Sequence, residues 1–140
     1  MSWELEGLSE FRLAIQRKRA AMEVETRRAV TEGVGAIERD SKIAASGRPG
    51  PNVITGTLRR GIRATRATPW GRVGWQAHVG PTNVYGRRVE LGFAGTDAAG
   101  RVYGPPRNPA RYPYFTPAFL AYASRWPAVL ASHWARAMEA

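Results

Sequence analysis

The apolar residues of this chain change their repeat once, at Gly47-Arg48-Pro49-Gly50-Pro51, and that change decides the fold class. Before it, Leu8, Phe11, Ile15 and Met22 recur at helical spacing, and Val30, Val34, Ile37 and Ala44 continue the repeat after a phase shift. The opposite face carries Arg12, Arg17, Arg19, Arg27 and Arg28, with Glu23 and Glu25 among them. The spacing predicts a long amphipathic helix over about residues 9–45, with Ser9 as its cap and Glu10 in its first turn. Gly33 and Gly35 each weaken a helix by about 1 kcal/mol relative to Ala, so a bend or break is expected there. The Gly/Pro run ends the helix. Ahead of it, Trp3 and Leu5 alternate with Ser2, Glu4 and Glu6, as in a short strand or an extended arm.

After the Gly/Pro run the period becomes two. Val73, Trp75, Ala77 and Val79 alternate with Gly74, Gln76 and His78, which predicts a half-buried strand with Trp75 in the core phase. Gly80-Pro81-Thr82-Asn83 is a turn, and Tyr85 to Leu91 is a second strand candidate. Leu58 to Thr68 reads as a tight turn followed by a strand from Gly61. Gly92 to Pro109 is rich in Gly, Pro and Asn, with Val102-Tyr103 as its one strand candidate; a loop of that length is usually functional or disordered. From Thr116 the pattern is helical again. Pro117 suits a first turn, Phe119, Leu120, Ala123 and Trp126 form a stripe, and Pro127 starts a further segment carrying Val129, Leu130 and Trp134. The expected architecture is a single α+β domain over residues 1–140. Its long N-terminal helix and its C-terminal helical segment (about 116–139) pack on a small antiparallel β-sheet (about 53–103, with a long loop at 92–109).

Charge is placed unevenly. Residues 1–40 hold eight acids and seven bases, a net of −1, whereas residues 41–140 hold fourteen bases and three acids, a net of +11. No acid lies between Asp40 and Glu90. The bases are nearly all arginine, which forks onto phosphate or carboxylate, so the expected partner is nucleic acid or the acidic face of another protein. Arg59, Arg60, Arg63, Arg66, Arg87, Arg88 and Arg101, with Tyr112 and Tyr114, are the candidate partner- or DNA-facing residues. Basic residues interleaved with Trp70, Trp75 and Tyr85 also suit non-specific binding to a nucleic-acid strand over residues 41–89.

Catalytic chemistry finds no purchase. The two histidines, His78 and His133, have no carboxylate near them in sequence, and nucleophile, zinc and phosphate-loop motifs are absent. Three acids in the last hundred residues are too few for a divalent-metal cluster. Without cysteine there is no disulfide framework and no thiolate site. No apolar run approaches the roughly 20 residues of a membrane span, and the acidic start, Met-Ser-Trp-Glu-Leu-Glu, is unlike a signal peptide. We expect a protein that is not an enzyme and takes no cofactor, metal or membrane. Glu90, between Arg87-Arg88 and the next strand signal, is expected to accept a structural hydrogen bond or to pair with arginine. The aromatic-proline segment Tyr112-Pro113-Tyr114-Phe115 suits either core closure or docking on a neighbour.

Three stretches carry a resemblance. They are Val53-Ile54-Thr55-Gly56-Thr57-Leu58-Arg59-Arg60-Gly61-Ile62; Ala77-His78-Val79-Gly80 with Val84-Tyr85-Gly86-Arg87-Arg88-Val89-Glu90-Leu91-Gly92-Phe93; and Ala110-Arg111-Tyr112-Pro113-Tyr114-Phe115-Thr116-Pro117-Ala118-Phe119. In this order, and over nearly the whole chain, they resemble the bacteriophage gene-product-ten-like family of tail components. That family shows Thr-Gly-x-Leu, then Val-Gly, then Tyr-Ala-x-x-Val-Glu-Phe-Gly-Thr, then Pro-x-Pro-Phe-Leu-x-Pro-Ala. The chain departs from it at Gly86 (usually Ala), at Leu91 (usually Phe), at Phe93-Ala94 in place of Thr, and in its long insert from Gly95 to Pro106. The resemblance implies a structural virion protein of the neck of a tailed phage, in head–tail joining, tail completion or tail termination. It implies copies in a ring, neighbouring head-connector and tail-tube proteins as partners, possible contact with genomic DNA, and assembly in the host cytoplasm.

Overall fold

The computed structural model describes residues 7–53, 55–72, 74–92, 95–96, 99–100, 102–103 and 112–140. The protein is α+β, as the change of period predicts.

Helix α1 (Leu8–Ala44) is continuous for 37 residues, about 55 Å at 1.5 Å per residue. It starts one residue earlier than expected. Gly7, at φ 87°, takes the cap position, and its carbonyl accepts from the Phe11 amide at 2.9 Å, so Ser9 sits inside the first turn. The expected break at Gly33 and Gly35 does not occur. Gly33 is buried, and a Cβ there would lie 3.0 Å from Tyr122 Cε1. The missing side chain lets a neighbouring helix approach, and that packing offsets the propensity cost. Past the helix end the chain folds back so tightly that a Cβ at Gly50 would lie 2.0 Å from the Ala44 carbonyl oxygen.

A short helix, α2 (Thr57–Gly61), follows Gly56, whose φ of 72° suits glycine. Strand β1 (Ile62–Ala64) then pairs antiparallel with β4 (Val79–Pro81), Arg63 opposite Gly80. Between them β2 (Thr68–Trp70) pairs with β3 (Gly74–Gln76), Pro69 opposite Trp75. The two ladders are bridged by Thr65: its amide donates to the His78 carbonyl at 2.7 Å, and its hydroxyl accepts from the His78 amide at 2.8 Å. The single strand expected over residues 73–79 is therefore two strands with a break at Ala77-His78; Val73 lies outside the described residues.

The second strand candidate is a helix. Residues Gly86–Leu91 form α3, opened by a turn in which the Gly86 amide donates to the Asn83 carbonyl at 3.0 Å. Neighbouring burial of Val89 and Glu90 breaks the alternation a strand needs, and Gly86 is packed so closely that a Cβ would sit 2.5 Å from Pro81 Cβ. In the segment expected as a long loop, Val102–Tyr103 is a strand (β6), paired with β5 (Gly95–Thr96). The rest of that loop lies largely outside the described residues.

Two helices close the fold, α4 (Phe115–Ala123) and α5 (Trp126–Glu139), the second with Pro127 in its first turn. Both pack on α1, α5 running antiparallel to it: Trp134 Nε1 donates to Thr26 Oγ1 at 3.0 Å, and Lys18 Nζ donates to the backbone carbonyls of Met138 and Ala140. The predicted stripes are out of phase with the packed face. Ala118, Tyr122, His133 and Ala137 are buried, whereas Phe119 and Leu120 are exposed and Trp134 is 40% exposed. Small residues such as Ala29 and Gly33 on α1 let the helices come close, so bulky residues lie at the margins. Helices do not cover one face of a single sheet; three two-stranded ribbons lie beside a long helix. The core at the base of α1 joins Ala45, Ile62 and Tyr114, ringed by Ala44, Leu58, Val89 and Phe115.

Candidate assembly surfaces

The three stretches that carry the family resemblance converge on this core. Asn83 Nδ2 donates to the Thr57 carbonyl at 2.7 Å, joining the first to the second. Glu90 joins the second to the third. Its Oε2 accepts from the amides of Tyr114 (2.7 Å) and Phe115 (3.0 Å), and its Oε1 from that of Thr116 (2.8 Å). A carboxylate thus satisfies the unpaired amides at the start of α4, where the helix dipole also favours negative charge. Burial raises the Glu90 carboxyl, but the hydrogen bonds from Phe115, Thr116 and Tyr114 outweigh it and hold the pKa below its ordinary value. The expected structural acceptor role of Glu90 is met by backbone donors, which leaves the carboxylate no free role as an acid or base. The Tyr114 hydroxyl donates to the Gly86 carbonyl at 3.2 Å, and burial, then Glu90 and Tyr85, push its pKa up to about 12. Tyr114 is fully buried, which corrects its assignment as a partner-facing residue: of its two readings, core closure holds.

The predicted basic residues spread over one end of the fold. Arg59 and Arg60 lie on α2, Arg63 on β1, Arg66 just beyond it, and Arg87 and Arg88 on α3; all are exposed. Arg59 Nη1 donates to Ser46 Oγ at 3.2 Å. Arg63 lies in the field of Glu38, whose Oε2 accepts from the Ala64 amide at 2.8 Å and ties β1 to α1. The Lys42 hydrogen bond and, against burial, the Ala64 amide and the charges of Lys42 and Arg63 lower the Glu38 pKa. Tyr112 is half-buried under the Arg48 guanidinium, 3.9 Å from its ring centre. Arg101 lies outside the described residues. Arg48, Asn52, Leu58, Arg59, Tyr85 and Tyr112 line part of an open cavity of about 680 Å³. The surface is thus cationic with aromatic and apolar patches between the charges, which suits acidic protein or phosphate and offers no nucleophile or general base.

A buried charged cluster escaped the sequence reading. His133, 4% exposed on α5, meets Glu25 Oε2 through Nδ1 and Glu32 Oε2 through Nε2, each at 2.8 Å. Arg28 donates to Glu25, and Arg136 lies 2.8 Å from His133 Nδ1 and 3.6 Å from Glu25 Oε2. The hydrogen bond from His133, opposed by burial and aided by Arg28 and Arg136, lowers the Glu25 pKa. The two carboxylates occupy opposite ring nitrogens, so a single cation could not take all three groups, and no such metal-holding group occurs among the described residues. The cluster is a polar clamp between α1 and α5. Its sequence signal was Glu25 itself, which lies on the apolar stripe between Met22 and Ala29.

No protein-family profile, curated protein or solved structure matches this chain.

Proposed function

We propose that this chain is a structural assembly protein that works by presenting surfaces to its neighbours and not by catalysis. Within that class, we assign it to the neck of a tailed bacteriophage, in a ring of copies between head connector and tail, as a joining, completion or terminator protein. One observation carries the reading: the three stretches on which the family resemblance rests pack into a single unit, joined by the Asn83–Thr57 hydrogen bond and by Glu90 at the start of α4. Sequences that keep such pieces in order keep them for one core, so their co-occurrence is a single fold signature rather than three weak motifs. Around that core, Arg59, Arg60, Arg63, Arg66, Arg87 and Arg88 would meet acidic faces of adjoining head-connector or tail-tube proteins, or the genomic DNA passing through the ring.

Gold-labelled antibody against an epitope-tagged copy, viewed on intact particles, tests the assignment. Label at the head–tail junction is expected; label along the tail, on the capsid, or absent from purified particles overturns it. A second reading, a free nucleic-acid-binding protein, draws on the same exposed arginines. It predicts tight DNA binding by the purified chain at physiological salt.

A further inference from the structure

Helix α1 is longer than anything packed on it. Its buried stripe runs Glu25, Ala29, Gly33, Ile37 and Ser41. Traced toward the N-terminus, the same stripe passes Met22 to Ile15, Phe11 and Leu8 at steps of three, four or seven residues. Yet α5 ends level with Lys18, so the ten residues before it, about 15 Å of helix, have no cover among the described residues. Leu8, Phe11 and Ile15 are 42%, 62% and 51% exposed there. An apolar stripe that serves as a packing face along most of a helix is left bare on its last three turns.

A matching depression lies elsewhere on the molecule. An apolar groove of about 340 Å³ opens between α1, β3 and α4, lined by Val34, Ile37, Trp75, Phe119, Tyr122 and Trp126 among others. Two cations edge its aromatic residues: Arg27 lies 5.4 Å from the Trp75 ring centre and Arg125 5.6 Å from that of Tyr122. The chain's own arm cannot fill the groove, because Phe11 and Gly33 are 22 residues apart on one unbroken helix, about 33 Å. Charge points to the occupant. Residues 1–11 contain Glu4, Glu6 and Glu10 and no base, whereas residues 12–140 contain all 21 bases against eight acids. The arm is the acidic, apolar end of an otherwise basic chain.

We propose that the Leu8–Ile15 arm of one copy seats Phe11 in the α1–β3–α4 groove of a second copy, with Glu10 facing the arginines at its edge. The contact is head to tail: each copy offers one arm and one groove, so copies add until the rotation closes a ring. The inference rests on the self-assembly in the reading above and names the surfaces that perform it. It is tested on purified protein, so failure of the contact would leave the neck assignment to its own particle experiments.

The chain has no cysteine, which makes crosslinking clean. Phe11→Cys and Ala123→Cys replace an exposed arm residue and an exposed residue of the groove. Under mild oxidation the double variant should give covalent dimers and larger species. An equimolar mixture of the two single variants should stop at a dimer containing one of each, and Phe11→Cys alone should stay monomeric. Phe11→Asp should shift wild-type oligomers to monomer in sedimentation, whereas Leu13→Asp, on the opposite face of the arm, should not. Three results would each overturn the proposal: Phe11→Cys alone dimerising as readily as the double variant, which would mean arm on arm; a double variant no more crosslinked than a Phe11→Cys/Val84→Cys control; or a wild-type chain that remains monomeric at high concentration.

Discussion

Replacing Glu90 by Ala should be the most damaging single change to this fold that touches no large apolar side chain. The carboxylate accepts from three backbone amides, Tyr114, Phe115 and Thr116, and is 9% exposed. Removing it orphans donors at the start of α4 and loosens the tie between α3 and the segment that places Tyr114 in the core. A net hydrogen bond contributes about 1 kcal/mol, and a buried donor left unsatisfied costs about 1–3 kcal/mol. Water can reach the exposed side of Thr116, so the loss is set at about 3 kcal/mol for Ala. For Gln, which keeps one acceptor oxygen but loses the charge, about 1 kcal/mol is expected. At roughly 3 °C per kcal/mol for a chain of this size, Glu90→Ala should lower Tm by about 9 °C. Circular dichroism melts at neutral pH, with exposed Glu139→Gln as control, measure this. A Glu90→Ala melt within 2 °C of wild type would refute the capping role.

Acid should destabilise the fold in a defined direction. Glu25, Glu38 and Glu90 all have folded pKa values below the ordinary 4.5, so each contributes stability that is present above the unfolded value and lost as pH falls through the folded one. Urea midpoints should hold above about pH 5 and fall steadily below 4.5, with a shallower fall in Glu90→Gln; midpoints that rise on acidification would contradict this. The two helix glycines should respond with opposite signs. Gly33→Val presses on Tyr122 and should destabilise by about 1–3 kcal/mol, whereas Gly35→Ala enters open space and should stabilise by about 0.5–1 kcal/mol, both read by denaturant melts. DNA binding by the purified chain should be independent of sequence and fall about 10³-fold or more between 50 and 200 mM salt if six phosphates are contacted, and Arg59→Glu/Arg60→Glu/Arg63→Glu should weaken it further; filter binding or anisotropy reads both.

The sequence announced its helices well and its strands poorly, for a physical reason. A 37-residue helix repeats its signal ten times over, and the Gly/Pro run that ends it is unambiguous. The strands are two or three residues long, too short for a period of two to be counted, so Tyr85–Leu91 looked like a strand when its fate was set by the turn at Asn83 and by the demand of α4 for Glu90. Helix phase in α4 and α5 was misjudged because close packing on Gly33 and Ala29 favours small residues at the contact and pushes Phe119 and Trp134 aside. Of the candidate surface residues, the arginines needed only exposure to be found. The His133 cluster joins residues more than 100 positions apart, and no local pattern could have announced it.

The neck assignment is tested most directly by deleting the gene from the phage that carries it and examining the lysate by electron microscopy. DNA-filled heads and finished tails, present together but unjoined, are the predicted result, because the protein would act by assembly after packaging. Normal tailed, infectious particles would contradict the assignment, and empty heads alone would move the protein upstream to packaging.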